Sequence, residues 1–117
     1  MLSFPVGIRL FLAVDPIDMR KQFNGLWAVA VERLKEDPKQ GSVFVFTNRN
    51  RDMLKILYWD GTGVCILAKR LERGCFTWPP SEGLEKVRLE PEVLAMIIAG
   101  IDIKSTVKKA WYNRQMS

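Results

Sequence analysis

Apolar residues fall into short blocks separated by polar turns, and the spacing inside the blocks changes along the chain. Residues 7–14 form a short apolar run closed by Asp15-Pro16, which predicts a strand. From residue 16 to residue 35 the apolar side chains recur every three or four positions, as on a helix with one buried face. We therefore expect a long helix that packs on the sheet through Phe23, Trp27 and Ala30.

Two acidic residues lie where this helix is predicted to begin. Asp15 suits the N-cap, Pro16 the first helical position, and Asp18 the first turn, where the helix dipole favours negative charge. A metal site is the other use of two neighbouring carboxylates, but capping accounts for both. We expect no bound metal here, and we expect the Asp15 carboxylate to accept a hydrogen bond from a backbone N–H in the next helical turn.

After a loop over residues 36–41, the pattern changes to strand-like blocks. These blocks cover residues 43–46, 53–59, 64–70, 75–78 and 84–89. The turn Asp60-Gly61-Thr62-Gly63 predicts a tight hairpin, because glycine tolerates the positive φ that such turns require. Side chains alternate along a strand, so Tyr58 and Trp59 should lie on opposite faces of this hairpin.

The order of elements predicts an α+β fold. We expect a mostly antiparallel β-meander sheet, with one long N-terminal helix and a short C-terminal helix, from Pro91 to Gly100, packed on one of its faces. Residues 1–103 should form this single domain. Residues 104–117 are a basic tail without acids, which suits a frayed helix, a DNA contact, a partner-binding segment or an unstructured terminus.

Composition narrows the class of protein. The chain has 117 residues, of which 48% are hydrophobic, enough for one domain with its own core. No apolar run approaches the roughly 18 residues of a membrane span, and the start of the chain has no basic segment followed by a cleavage site. We therefore expect a cytoplasmic protein without a membrane partner.

The side-chain inventory argues against catalysis. The chain has no histidine, which removes the commonest general base and the commonest zinc ligand, and Cys65 and Cys75 are too few for a thiolate metal site. The acids Asp52, Asp60 and Glu72 each fall in a predicted turn, where acidic residues are ordinary. The sequence therefore predicts no enzyme activity, no cofactor and no metal.

The balance of charge points to a polyanionic partner. The net charge is +5, and six cations fall on the predicted hairpin unit. These candidate nucleic-acid-binding residues are Arg49, Arg51, Lys55, Lys69, Arg70 and Arg73. The aromatic residues among them could stack on bases or simply form the core: Tyr58, Trp59, Phe76 and Trp78.

The predicted hairpin gathers four of these cations. The second strand returns towards the start of the first, so Arg70 and Arg73 should lie near Arg49 and Arg51, at the end opposite Asp60-Gly61. Grouped guanidiniums suit phosphate oxygens. The alternative is that Asp52 and Glu72 neutralise the arginines in surface ion pairs, which contribute about 0–1 kcal/mol each.

Several segments, in this order and spacing, resemble a known family. They are Asp15-Pro16-Ile17-Asp18-Met19-Arg20-Lys21, Phe44-Val45-Phe46, Asn48-Arg49, Lys55, Leu57-Tyr58-Trp59-Asp60-Gly61-Thr62-Gly63, Lys69-Arg70-Leu71-Glu72-Arg73-Gly74, Phe76 and Trp78-Pro79. The chain is similar, over residues 7–102, to the TnpB (Orf2) accessory proteins of the sixty-six group of bacterial insertion sequences. Gln22 and Cys75 depart from the family pattern, in which we expect a glycine and a basic residue.

The resemblance implies a role in transposition. In such elements a separate, larger transposase cuts and joins DNA, and the small accessory protein is required for efficient movement. The expected partners are therefore the transposase and other proteins of the same element, together with DNA. A protein–protein adaptor for the transposase without direct DNA contact is the alternative that the sequence leaves open. The oligomeric state does not follow from the sequence.

Overall fold

A five-stranded mixed sheet lies between two helical layers in the computed structural model, which describes residues 7–80 and 82–100. Its strands are β1 (Arg9–Ala13), β2 (Ser42–Thr47), β3 (Met53–Trp59), β4 (Val64–Arg70) and β5 (Lys86–Leu89). They are arranged in the order β4-β3-β2-β1-β5. The helices are α1 (Phe23–Ala28), which continues as a π-helical segment over Val29–Arg33, a short 3-10 turn (Pro38–Gln40) and α2 (Pro91–Ile98).

The predicted fold class is wrong about the sheet. Strands β1 and β2 pair in parallel, with Phe11 opposite Phe44, whereas every other pair of neighbouring strands is antiparallel. The meander is limited to β2, β3 and β4. The reason is the order strand, helix, strand at the start of the chain: α1 carries the chain back across the sheet, so β2 runs in the same direction as β1.

The two helices cover opposite faces, which also corrects the prediction. On one face, Leu26 and Ala30 pack with Phe44 and Leu57. On the other face, residues of α2 pack in a second buried cluster, which contains Leu10, Leu12, Val43, Val45, Ile56, Leu94 and Ile97. The central strands are buried and apolar on both sides, so a helix on one face alone would leave half of their surface in water.

The N-terminal helix is shorter than predicted, because residues 16–22 are not helical. Gln22 occupies the N-cap position of α1, so Asp15 does not cap the helix; its carboxylate lies 3.3 Å from the Arg33 guanidinium. The N–H of Ile17 instead donates to the Thr47 carbonyl at 2.8 Å, which ties this segment to the end of β2. The apolar spacing that predicted one long helix therefore belongs to a helix of eleven residues, Phe23 to Arg33.

Two of the three predicted packing residues of that helix face the sheet. Ala30 is fully buried and Trp27 packs against the same cluster, as predicted. Phe23, in the first turn, is 47% exposed. Leu26 occupies the buried position in its place.

The predicted hairpin is confirmed. β3 and β4 pair from Met53 opposite Arg70 to Trp59 opposite Val64. Trp59 lies on the α1 face, where its ring meets Trp27 edge to face at 6.1 Å, and Tyr58 packs against the cluster on the α2 face. Gly61 adopts φ +100°, the conformation for which the turn requires glycine.

The predicted strand over residues 75–78 is absent from the described sheet, although its alternating side chains are placed as that pattern suggests. The Phe76 N–H donates to the Arg51 carbonyl at 2.6 Å, and the Trp78 indole N–H donates to the Ala13 carbonyl at 2.9 Å. Both rings are buried. The segment is thus held by single hydrogen bonds and by burial rather than by a strand partner.

The hydrogen bonds of the hairpin turn can be tested by measuring the pKa of Asp60. The Asp60 carboxylate accepts hydrogen bonds from the N–H groups of Thr62 and Gly63, both at 2.9 Å, and these lower its pKa to about 2. The ionised form therefore stabilises the turn at pH values above the ordinary pKa of about 3.9, and this contribution is lost as the pH falls through about 2. A carbon-detected NMR titration of Asp60 should show this low pKa, and Thr62→Val should raise it by removing the hydroxyl donor. An ordinary pKa in the wild type would contradict the turn geometry.

Some predictions fall on undescribed residues. The basic tail over residues 104–117, and the domain boundary before it, lie outside the described part of the chain. Within residues 7–80 and 82–100, none of the helices has the length and apolar character needed to cross a membrane.

Candidate nucleic-acid interface

Four arginines gather at one end of the β3–β4 hairpin. Arg70 lies opposite Met53 in the register, and beyond it the Leu71 N–H donates to the Asp52 carbonyl at 2.8 Å. The bond from Phe76 to Arg51 then keeps the following residues beside the turn that precedes β3. This end carries the side chains that we call the arginine surface: Arg49, Arg51, Arg70 and Arg73. It is the end opposite the Asp60 turn, as the sequence predicted.

Asn48 builds the turn that carries Arg49 and Arg51. Its side-chain oxygen accepts from the N–H groups of Asp52 (3.1 Å) and Met53 (3.2 Å), and its amide nitrogen donates to the Asp52 carboxylate at 2.6 Å. This role of Asn48 was not predicted from the sequence. The available signal was an asparagine at the start of a polar turn, because asparagine commonly bonds to nearby backbone in turns.

No acid of the described residues neutralises the arginine surface. Within the described part of the chain, none of its four guanidiniums forms an ion pair with a carboxylate, so the predicted alternative with Asp52 and Glu72 is not observed. The Asp52 carboxylate is bonded to Asn48 instead. Arg49, Arg70 and Arg73 are exposed. The surface therefore presents three exposed arginines and the half-buried Arg51.

The two lysines of the predicted set face the interior or a helix end. Lys55 is only 4% exposed, and its ammonium donates to the carbonyls of Met19 (2.8 Å) and Lys21 (2.9 Å). The Lys69 ammonium donates at 2.7 Å to the carbonyl of Ile98, at the C-terminal end of α2, where the helix dipole favours a cation. Both ammonium groups are thus bound to backbone carbonyls on opposite faces of the sheet.

None of the four candidate aromatic rings is placed to stack on a base beside the arginine surface, although the Phe76 backbone is bonded to Arg51. Phe76 and Trp78 are buried, and Tyr58 and Trp59 lie next to the opposite turn of the hairpin. The Lys39 ammonium covers the Trp59 ring at 4.8 Å, a cation–π contact that sequence analysis missed and that no local pattern indicates.

Other features of the described residues offer little chemistry. A cleft of about 340 Å³ lies between the segment from Pro16 and helix α1, and a second, of about 330 Å³, reaches Arg49. Among residues 7–80 and 82–100, no group of three or more acids and cysteines is arranged to hold a metal ion. Burial and the neighbouring Asp60 carboxylate raise the pKa of the Cys65 thiol, which disfavours a reactive thiolate.

Comparison with known proteins gives one family and uncharacterised relatives. The family model described as "IS66 Orf2 like protein" matches residues 8–108. The protein y4jC of Sinorhizobium fredii, described as uncharacterized, is 38% identical over 96 residues, which cover 82% of this chain and 81% of the relative. The uncharacterized protein y4hO of the same organism is 38% identical over 102 residues, covering 87% of this chain and 88% of the relative. No solved structure gives a significant match.

Proposed function

Because the chain belongs to the family of IS66 Orf2-like proteins, whose members accompany insertion sequences, we propose that it is a non-catalytic accessory protein of transposition. It acts with the transposase on the DNA of the element, in the cytoplasm where that DNA lies. The observation that carries the proposed DNA contact is the arginine surface: four guanidiniums at one end of the sheet, none of them paired with an acid of the described chain.

The geometry of the arginine surface favours phosphate as its ligand. A guanidinium offers paired N–H donors that match two phosphate oxygens, and phosphate contacts make up much of a typical protein–DNA interface. A cluster of unpaired cations also carries repulsion, which an anionic ligand relieves. Binding a polyanion therefore lowers the electrostatic free energy of this surface more than it would for a surface whose cations are already paired with acids.

The backbone at Arg51 supports a role for its side chain. Arg51 has φ +57°, a left-handed conformation in which glycine or asparagine is less strained. The turn itself is held by Asn48 and needs nothing from the arginine side chain. The Arg51 side chain is therefore not required to hold the turn, which leaves it available to contact a ligand.

The placement of the aromatic residues favours duplex over single-stranded DNA. Proteins that bind single strands usually combine cations with exposed aromatic rings on which bases stack. Here the rings nearest in sequence to Arg73, those of Phe76 and Trp78, are buried. The arginine surface therefore suits the phosphate backbone of a duplex.

The test is binding of a fluorescent duplex by the full chain and by a variant with Arg49, Arg51, Arg70 and Arg73 all replaced by alanine. Each phosphate contact contributes about 0.9 to the slope of log affinity against log salt. The variant should bind at least about tenfold more weakly at low salt, with a slope reduced by about 3–4. Fluorescence anisotropy over a series of salt concentrations measures both quantities.

A matched control separates the arginine surface from overall charge. Replacing Arg33, Lys35, Lys39 and Arg88 by alanine removes the same charge from exposed positions elsewhere. This variant should keep most of the affinity and of the salt slope. Equal losses in the two variants would show binding that depends only on net charge, and unchanged binding in the first would exclude the arginine surface.

The same experiment tests the alternative function, a protein–protein adaptor without DNA contact. The exposure of two apolar side chains of the same helical segment, Phe23 and Val31, is the observation that favours it, because exposed apolar surface suits a protein partner. An adaptor would bind the transposase with an affinity that changes little with salt, and it would not bind duplex DNA alone.

A further inference from the structure

The edge of the sheet formed by β4 has no partner in the described part of the chain. β4 is the outermost strand and runs for seven residues, Val64–Arg70. No backbone hydrogen bond among the described residues reaches its outer side. Long edge strands are usually shortened, bulged or covered, because their free N–H and C=O groups pair readily with another strand.

The hydrogen bonds at the two ends of the hairpin show which residues face outwards. Asp60 pairs with Gly63 through an N–H to carbonyl bond of 3.1 Å, and Leu71 pairs with Asp52 through one of 2.8 Å. Hydrogen-bonded and non-hydrogen-bonded pairs alternate along an antiparallel ladder. Leu67 therefore bonds inwards to β3, and the residues whose backbone groups point outwards are Val64, Ile66, Ala68 and Arg70.

This edge is complementary to itself. When two copies of β4 pair antiparallel about Leu67, Ile66 of one copy lies opposite Ala68 of the other, and Val64 lies opposite Arg70. All four outward-facing residues then find hydrogen-bonded partners. No like charges are opposed, because Lys69 faces Cys65. The two Leu67 side chains meet on the symmetry axis in a non-hydrogen-bonded pair, where the strands approach most closely.

The exposure of Leu67 fits the same arrangement. Leu67 is 38% exposed although it lies in the middle of a strand, and its side chain lies on the α2 face, because it pairs with Ile56 of the cluster on that face. A second copy of β4 would cover Leu67 and continue the sheet to ten strands. We propose that the protein forms a symmetric dimer through antiparallel pairing of β4 with β4 of a second copy.

Dimerisation would combine two arginine surfaces in one particle. Arg70 lies six residues from Val64, so the two Arg70 residues would be about 20 Å apart along the strands. The twofold axis of the dimer is perpendicular to the continuous sheet, so the α1 helices of the two copies lie on the same face of that sheet. The dimer is independent of the proposed DNA contact and can be tested without DNA.

Sedimentation equilibrium of the full chain tests the dimer. The wild type should have twice the 13.5 kDa mass of one chain at micromolar concentration. Leu67→Glu opposes two like charges, and Ala68→Pro removes an outward N–H without touching the β3 ladder, so both variants should be monomeric. Leu84→Glu, at a leucine that is 37% exposed outside β4, should remain dimeric. Circular dichroism checks that each variant is folded.

Cross-linking tests the register. In a chain with Cys65→Ser and Cys75→Ser, Leu67→Cys should form a disulfide-linked dimer on mild oxidation, because opposed residues of a non-hydrogen-bonded pair lie within disulfide range. Leu84→Cys in the same background should not. A monomeric wild type, dimers that persist in both β4 variants, or a dimer without the Leu67→Cys cross-link would overturn the proposal.

Discussion

Trp78→Ala should lower the free energy of unfolding by about 3–5 kcal/mol, the usual cost of deleting a buried aromatic ring. Trp78 is only 6% exposed and lies in the cluster between the sheet and α2. Its indole N–H donates to the carbonyl of Ala13, at the end of β1. Alanine would leave a cavity and remove the hydrogen bond to that carbonyl. Urea denaturation followed by circular dichroism measures the change.

Two further substitutions serve as comparisons for Trp78→Ala. Trp78→Phe keeps most of the ring but loses the donor, so its cost should fall between zero and that of alanine. Phe23→Ala removes a ring that is 47% exposed and should cost less than about 1 kcal/mol in the monomer. Equal costs for Trp78→Ala and Phe23→Ala would show that residues 75–78 are not packed as described.

Lys55→Ala should lower the free energy of unfolding by about 3–4 kcal/mol, because it removes the donor shared by two carbonyls and leaves a gap beneath them. Those carbonyls belong to Met19 and Lys21, in the segment that leads into α1. Lys55→Met keeps the apolar stem and should cost less. Thermal or urea denaturation of both variants measures the difference.

The Lys55 variants also distinguish a structural role of this residue from a role in DNA binding. If Lys55 has only a structural role, its substitution lowers the free energy of unfolding, while the variant that remains folded retains its affinity for duplex DNA. If Lys55→Ala were as stable as the wild type but bound DNA more weakly, the ammonium would belong to the binding surface, contrary to its 4% exposure.

The hairpin was predictable because its signals are local. The turn Asp60-Gly61-Thr62-Gly63 contains both the carboxylate that accepts from the turn and a glycine at positive φ. The alternation of Tyr58 and Trp59 then follows from strand geometry alone. The end of the hairpin at which the arginines meet follows from the same register.

The direction of β1 and the start of α1 depend on contacts that are remote in sequence. Nothing within residues 9–13 shows that this strand pairs in parallel with β2; the strand–helix–strand order is the only hint. Asp15 and Pro16 carry the signature of a helix start. The hydrogen bond from Ile17 to Thr47, 30 residues further along the chain, holds the segment out of the helix.

The position of the four arginines at one end of the hairpin could be predicted from the sequence, but the surroundings of the two lysines could not. A charge pattern does not show whether a cation faces solvent or a backbone carbonyl. For Lys55 a hint existed, because it alternates with Leu57 and Trp59 and therefore shares the face that a helix covers. Lys69 gave no such hint, since its partner carbonyl belongs to α2, which is 29 residues away.

The division of the six cations into two lysines and four arginines has a consequence for how the protein tolerates mutation. The lysines hold backbone segments in place on the two faces of the sheet, whereas the four guanidiniums form no ion pair within the described chain. Changes at the arginines should therefore cost the fold little. If the arginine surface binds DNA as proposed, recognition and stability rest on different residues, so substitutions can change the binding surface while the scaffold beneath it is retained.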